Sequence, residues 1–417
     1  MIAWLSATEF TSTNATMLDV VETLANLVRI PSVNPMGREV SGDIYFEGRV
    51  TDYLESLFKQ LGWPYRRQLD LPGRENIVAR IDGDVPPENG GKVLLLEAHQ
   101  DTVPIDGMTI APFEPNIVDG RLYGRGSCDI KGGGAAILVA AARIATEKPK
   151  GRPTLLIGFP ANEEHGFTGA RTLAAIWRDG AKSALREFLP RPDAAIVSEP
   201  TLLDVVAAHK GVVRWRCHTH GKAAHSSNPQ LGESAIYSMA KVLNALERYA
   251  GEVVGSLTEH ALVGRPTLSV GTIAGGISVN TVPDHCFIEI DRRIIPSSAD
   301  PADRAQQHII DYIAQHVPAS IRLEHEPSYI CSPGLSDLHN ANLVEQLGAA
   351  ARACGGGGKK IGVPYGTDAP AYDALGIPTV VFGPGSIAQA HTADEWVEIN
   401  QLHAAVDVLV KFVKSFE

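Results

Sequence analysis

The sequence predicts an α/β fold: a largely parallel sheet with helices on both faces, interrupted by an inserted α+β unit of ferredoxin-like order. Three observations carry this. Residues 92–98 and 154–160 are apolar runs without alternation, the mark of strands buried on both faces. Segments of helical period alternate with such runs. After Pro200 the pattern changes to strand, helix, strand, strand, helix, strand, the order of a small open sandwich with both helices on one face of an antiparallel sheet.

Taken in order, Leu18, Val21, Leu24, Leu27 and Val28 recur at helical spacing over 17–28, and residues 46–61 repeat the pattern. Strands are predicted at 76–81, 92–98, 154–160 and 194–198, with helices at 133–146 and 168–179. The insert, 210–326, holds strands near 213–220, 268–274, 284–292 and 321–325 and helices near 233–249 and 303–317. The α/β pattern then resumes with a helix at 341–353, a strand at 379–382 and an amphipathic helix at 399–416. The predicted domains are thus 1–209 and 327–417, joined as one unit, with 210–326 inserted between them. Glycines 355–358 read as a loop rather than a phosphate cradle, because no Lys-Ser/Thr follows.

A chain of 417 residues, 44% hydrophobic and 20% charged, buries a sizeable core. Its net charge of −11 excludes the basic faces that nucleic acid and anionic membranes select, so the expected partner is a small molecule. Five cysteines without paired spacing argue against a disulfide framework and for a reducing, cytoplasmic setting. Residues 1–16 lack a basic n-region and an apolar core of signal length, and no stretch approaches a membrane span.

The chemistry lies at the ends of the apolar runs. His99 ends one, with Asp101 two residues on and on the same side, placed to orient His99 or a neighbour. Asp129 lies in a glycine-rich turn before a helix, where a carboxylate either bridges two cations or caps the helix. Cys128 beside it reads as a small buried thiol. Glu163 and Glu164 follow a third run, and adjacent side chains diverge, so one can bind metal while the other acts as general base. Glu199 ends a fourth, and His391 comes from far downstream. Imidazole with carboxylate suits zinc or its neighbours, and so many donors suit a pair of ions, which points to a two-metal hydrolase. His218 and His220 share a strand face and read as surface or core histidines rather than, with His225, a third metal site.

In order and spacing, His99-x-Asp101, Asp129-x-Lys131-Gly132-Gly133, Glu163-Glu164, Ser198-Glu199-Pro200-Thr201 and His391-Thr392-x-Asp394-Glu395 resemble one metallopeptidase family. It is that of acetylornithine deacetylase, succinyl-diaminopimelate desuccinylase, aminoacylase and glutamate carboxypeptidase. The resemblance implies that His99, Asp129 and Glu199 bind one zinc and that Asp129, Glu164 and His391 bind the other. Asp101 would orient His99, and Glu163 would be the general base. It implies a lid and dimerisation role for the insert, whose Gly221-Lys222-Ala223-Ala224-His225-Ser226 matches a turn that steadies the oxyanion in the partner subunit. Asn280 and Arg293 match positions that bind the substrate carboxylate.

Tyr365-Gly366-Thr367-Asp368-Ala369-Pro370 is closer to the acetylornithine deacetylase branch, which adds Thr367 and Asp368 as substrate-binding candidates. Asp368 either pairs with a cationic side chain or caps a helix. The expectation is a cytoplasmic homodimer carrying two Zn2+, or Co2+ or Mn2+ in their place. It would deacylate an N-acyl amino acid, N-acetylornithine first, with succinyl-diaminopimelate or a peptide as alternatives.

Overall fold

The computed structural model describes residues 18–178, 184–296 and 301–416. The stretch 1–16 and residue 179, at the end of a predicted helix, lie outside them. Asp19 caps α1 (Val20–Val28), its Oδ1 accepting from the amides of Val21 and Glu22 at 2.9 Å each. α2 (Gly48–Leu61) buries Val50, Leu54, Leu57 and Phe58 and stops at Gly62, which adopts φ 69° as a left-handed cap.

The hairpin of β1 (Tyr65–Leu71) and β2 (Arg74–Ile81) leads to β3 (Val93–Glu97), all of it buried. The short β4 (Asn116–Val118) and β5 (Arg121–Tyr123) precede α3 (Lys131–Glu147). Then come β6 (Thr154–Phe159), α4 (Thr168–Arg178), α5 (Ala184–Phe188), β7 (Ala194–Val197) and β8 (Val205–His209). The inserted region runs through β9 (Gly211–His220), β10 (Ala224–His225), α6 (Ala235–Arg248), β11 (Thr267–Gly275), β12 (Thr281–Val282), β13 (His285–Ile294), α7 (Ala302–His316), β14 (Arg322–His325) and β15 (Ile330–Ser332). The chain closes with α8 (Ala341–Ala353), β16 (Lys360–Val363), α9 (Pro370–Asp373), β17 (Thr379–Val381), β18 (Trp396–Glu398) and α10 (Ile399–Ser415).

The main sheet has the order β1-β2-β6-β3-β7-β17-β8-β16. Its centre, β6-β3-β7-β17, is parallel, as predicted, but β2 joins β6 antiparallel and β8 meets β17 antiparallel, so the sheet is mixed. The predicted strand at 76–81 is one arm of a hairpin; its partner β1, Tyr-Arg-Arg-Gln-Leu-Asp-Leu, carries the charges of an edge strand and gives no apolar signal. Helices α1, α2, α3, α8 and α10 pack on one face around Leu24, Leu54, Ile137, Leu347 and Leu409, while α4 and α9 cover the other around Leu173, Trp177 and Tyr372.

The inserted region has its own sheet, β11-β13-β9-β14, all antiparallel, with β15 also on β9. Both helices cover one face through Trp215, Met239, Ile288 and Ile309. Among the described residues no helix is long and apolar enough to cross a membrane.

Candidate two-metal active site

The strands β6, β3 and β7 are neighbours and parallel, so their carboxyl ends open into one crevice. His99 lies just past β3, Glu163 and Glu164 just past β6, and Glu199 just past β7. Asp129 does not end a strand of this sheet, contrary to the sequence reading. It follows β5, which belongs to the separate sheet β18-β5-β4, and sits in the turn before α3. Nor does it cap that helix: Ile130 occupies the cap position and no side chain caps it. His391 comes from the loop between β17 and β18, at φ 61°.

Asp129 faces both histidines. Its Oδ1 lies 3.3 Å from His99 Nε2 and its Oδ2 3.3 Å from His391 Nε2. His391 Nε2 is also 3.3 Å from Glu164 Oε2, and His99 Nε2 is 3.9 Å from Glu199 Oε1 and 4.0 Å from Glu163 Oε2. Donor atoms of His99, Glu163 and Glu199 lie within 4.8 Å of one another, as do those of His99, Asp129 and Glu164. The surrounding cavity, about 140 Å³, is lined by Asp129, Glu163, Glu164, Glu199 and His391 together with Arg214 and Arg293 from the inserted sheet.

Asp101, fully buried, lies beside His99, and its carboxylate is occupied mainly by other groups. Its carbonyl oxygen lies 3.0 Å from His99 Nδ1 and its carboxylate Oδ1 3.6 Å. The carboxylate accepts from the amides of Glu163 and Glu164, 3.1 Å each, and from Asn34 Nδ2 at 2.7 Å. It thus holds both glutamates in place as well as lying beside His99.

The electrostatics are those of a site with more buried acid than base. Burial pushes the carboxyls of Glu163 and Glu199 well above the usual range, and burial followed by the Asp129 carboxylate brings Glu164 to about 6. Contacts with Asp129 and Glu164 raise His391 to about 10. Burial opposes ionisation of Asp129, but His391 and His99 hold it well below the usual carboxylate range. Four carboxylates and the His391 imidazole line this cavity, with His99 behind Asp129, and Glu164 Oε1 is buried with no hydrogen-bond partner among the described residues. Buried acids in such excess fit divalent cations, which supply the absent charge and take up the free oxygen.

Sequence reasoning placed Glu395 in the His391 motif but gave it no role. Fully buried, it accepts from Arg125 Nη1 at 2.7 Å and from the amides of Gly126, Cys128 and Asp129 at 3.0, 2.8 and 3.0 Å, fastening the turn that presents Asp129. Glu47, Arg74 and Asn162, linked by Arg74 Nη1 to Asn162 Oδ1 at 2.7 Å and by the Arg74–Glu47 ion pair, brace the turn before Glu163 and gave no signal.

The other candidates scatter. Arg293 lines the cavity. His225 ends β10 and Asn280 directly precedes its partner strand β12, with Ser226 N donating to the Asn280 carbonyl at 3.0 Å, and both are exposed and outside its lining. Thr367 and Asp368 are buried and do not line it either. Thr367 Oγ1 contacts His209 Nε2 at 2.9 Å, and the Asp368 carboxylate accepts no hydrogen bond among the described residues, so it caps no helix. Cys128 is a buried thiol donating to the Ser386 carbonyl. His218 and His220 do share a face; each meets a glutamate, Glu326 at 2.8 Å and Glu324 at 3.0 Å.

The family model for peptidase family M20/M25/M40 matches residues 95–415. An acetylornithine deacetylase of Myxococcus xanthus is 32% identical over 377 residues, covering 88% of this chain and 91% of its own. That of Vibrio campbellii is 31% identical over 405 residues, covering 96% and 98%. An M20 family metallo-carboxypeptidase of Sulfolobus solfataricus shares the fold at TM-score 0.73 and 18% identity, covering 95% of this chain and 99% of that one. A dinuclear metal binding M20 peptidase of Bacillus subtilis does so at TM-score 0.63 and 16% identity, covering 95% and 96%. The chain belongs to peptidase family M20/M25/M40 and is a hydrolase of amide bonds.

Proposed function

We propose that the protein hydrolyses the amide bond of an N-acyl amino acid with the help of two divalent ions. The observation that carries this is Asp129, whose two carboxylate oxygens each lie 3.3 Å from a different imidazole, the arrangement of a carboxylate shared by two ions. His99, Asp129 and Glu199 would hold one ion and Asp129, Glu164 and His391 the other. Zn2+ suits these donors best, and Co2+ or Mn2+ can stand in. Bound there, the ions acidify water and polarise the scissile carbonyl.

Glu163, buried 4.0 Å from His99 Nε2, takes the proton of the attacking water and returns it to the leaving amine nitrogen. Asp101 keeps Glu163 aimed through its amide and supports His99. Asn280 and Arg293 bind the substrate carboxylate, and His225, supplied by a second copy, donates to the oxyanion. In this reading the inserted domain, 210–326 with β15 added to its sheet, is the lid and dimer interface over the domain formed by 1–209 and 327–417. The compartment is the cytoplasm. The deacetylases at 31–32% identity make N-acetylornithine the first substrate to test, ahead of succinyl-diaminopimelate and dipeptides.

Release of free amine from an acylated amino acid by the zinc-loaded protein tests the reading. Chelation abolishes it, and Glu163→Gln lowers kcat by about 10²–10⁴-fold while metal content is kept. Full turnover by Glu163→Gln would remove Glu163 from the mechanism.

A further inference from the structure

Arg214 went unremarked in the sequence, yet it lines the cavity with Arg293. It lies on β9 directly across from Asp291 on β13, and Arg293 follows Asp291 by two residues on the same face. Asp291 therefore sits between two guanidiniums. Its Oδ2 accepts from Arg214 Nε at 2.7 Å, while Arg293 binds both oxygens, Nε to Oδ1 at 2.7 Å and Nη2 to Oδ2 at 3.2 Å. The next pair along, Arg216 to Glu289 at 2.9 Å, is an ordinary cross-strand strut, and neither residue lines the cavity.

Two guanidiniums and one carboxylate leave one positive charge at the cavity wall, enough for one substrate carboxylate. Each arginine keeps N–H groups beyond those that Asp291 takes, which suits a forked grip on both carboxylate oxygens. The rest of the lining away from the metal cluster is Phe167, Val212, Ile330, Tyr365, Gly366 and Ile387, and the first three pack into one small apolar cluster. Every other acid in the lining belongs to the proposed ions or to the base, and Asp368 is not among the lining residues. A substrate ammonium would find apolar walls and a second guanidinium of like charge.

Resting on the amide-hydrolase reading above, we propose that Arg214 and Arg293 form a paired carboxylate clamp. Arg214 makes the site select N-acyl amino acids with uncharged, apolar side chains over N-acetylornithine.

The test compares kcat and KM for N-acetyl-L-methionine, N-acetyl-L-glutamate and N-acetyl-L-ornithine in the zinc-loaded wild type, Arg214→Ala and Arg214→Lys. In the wild type, kcat/KM for the methionine substrate exceeds that for the other two by about tenfold or more. Arg214→Ala raises its KM by about 10–100-fold with little change in kcat, narrows the preference over ornithine, and is partly rescued by Arg214→Lys. An equal rise in KM for the methionine and ornithine substrates would show that Arg214 does not select the side chain and overturn the proposal, as would unchanged KM on all three or a wild type that prefers N-acetylornithine. If no substrate turns over, the amide-hydrolase reading has failed, and calorimetric binding of L-methionine and L-ornithine decides about the clamp: Arg214→Ala weakens methionine more than ornithine if the clamp selects as proposed, and weakens them equally or not at all if it does not. Should Arg214→Ala melt early, Arg214→Gln takes its place.

Discussion

Glu395 gives its whole carboxylate to the turn that presents Asp129, accepting from one guanidinium and three amides without touching the reacting atoms. A buried carboxylate with four donors fixes its neighbour's orientation more firmly than packing can, because each amide has a single direction. Glu395→Gln replaces an accepting oxygen with an amino group that meets backbone N–H groups head-on. Zinc affinity, measured by competition with a chelator, should fall by about 10–100-fold in Glu395→Gln. Unchanged affinity would show that Asp129 is held by other means. Glu163 presents the contrasting case of a residue whose position depends on a neighbour's carboxylate, since Asp101 accepts from its amide at 3.1 Å.

At the scale of elements, the segment after β6 is aimed by the helix that follows it. α4 begins at Thr168, and Gly169 lies so close to this segment that a Cβ would stand 2.2 Å from the Ala161 carbonyl oxygen and 2.5 Å from its amide nitrogen. Only hydrogen fits, because both neighbours are backbone. The Gly169 amide also donates to that carbonyl at 3.1 Å, so helix and segment are joined where Glu163 and Glu164 leave the sheet. Gly169→Ala must move one against the other. Overpacking of this kind costs about 1–3 kcal/mol, and thermal melting should show the loss together with a reduced kcat. Melting and activity equal to wild type would mean that the segment adapts freely.

At the scale of the molecule, the cavity exists only because the two sheets meet. The candidate ligands His99, Glu163, Glu164 and Glu199 come from strand ends of the main sheet and Asp129 and His391 from loops beside it, whereas Val212, Arg214 and Arg293 come from the inserted sheet. His209, at the end of β8, sits where the chain crosses between them. Its amide donates to the Leu335 carbonyl at 3.2 Å on the returning strand of chain, and its ring contacts the Lys210 carbonyl at 2.9 Å and Thr367 Oγ1 at 2.9 Å. Burial lowers its pKa from 6.5 to about 4, so the folded protein keeps it neutral where the unfolded chain takes up a proton. The unfolded state then binds more protons between pH 6.5 and 4, and stability is full above that window and falls as pH drops through it. The contribution is about 3 kcal/mol. Between pH 7 and 4, urea unfolding of the wild type should lose about that much more than His209→Gln; equal losses would show that His209 is protonated in the fold.

Much of this was legible in the chain itself, and the reasons are local. β3, β6 and β7 announced themselves as unbroken apolar runs, and the polar residues just past them had to lie at one edge, because parallel neighbours end on the same side. α8 appeared at its full extent from its period, Ala341–Ala353. β1 was invisible because an edge strand can afford charge, and β8 because five residues ending in a histidine look like the close of a domain. What the chain alone determined was therefore the candidate donors and the parallel strands whose ends carry His99, Glu163, Glu164 and Glu199. Three things waited for the tertiary structure: that Glu395 holds the Asp129 turn across 266 positions, that Asp368 is buried without lining the cavity, and that Arg214 shares Asp291 with Arg293. Each depends on which side chains long-range packing brings within hydrogen-bond reach, and neither periodicity nor spacing along one strand encodes that distance.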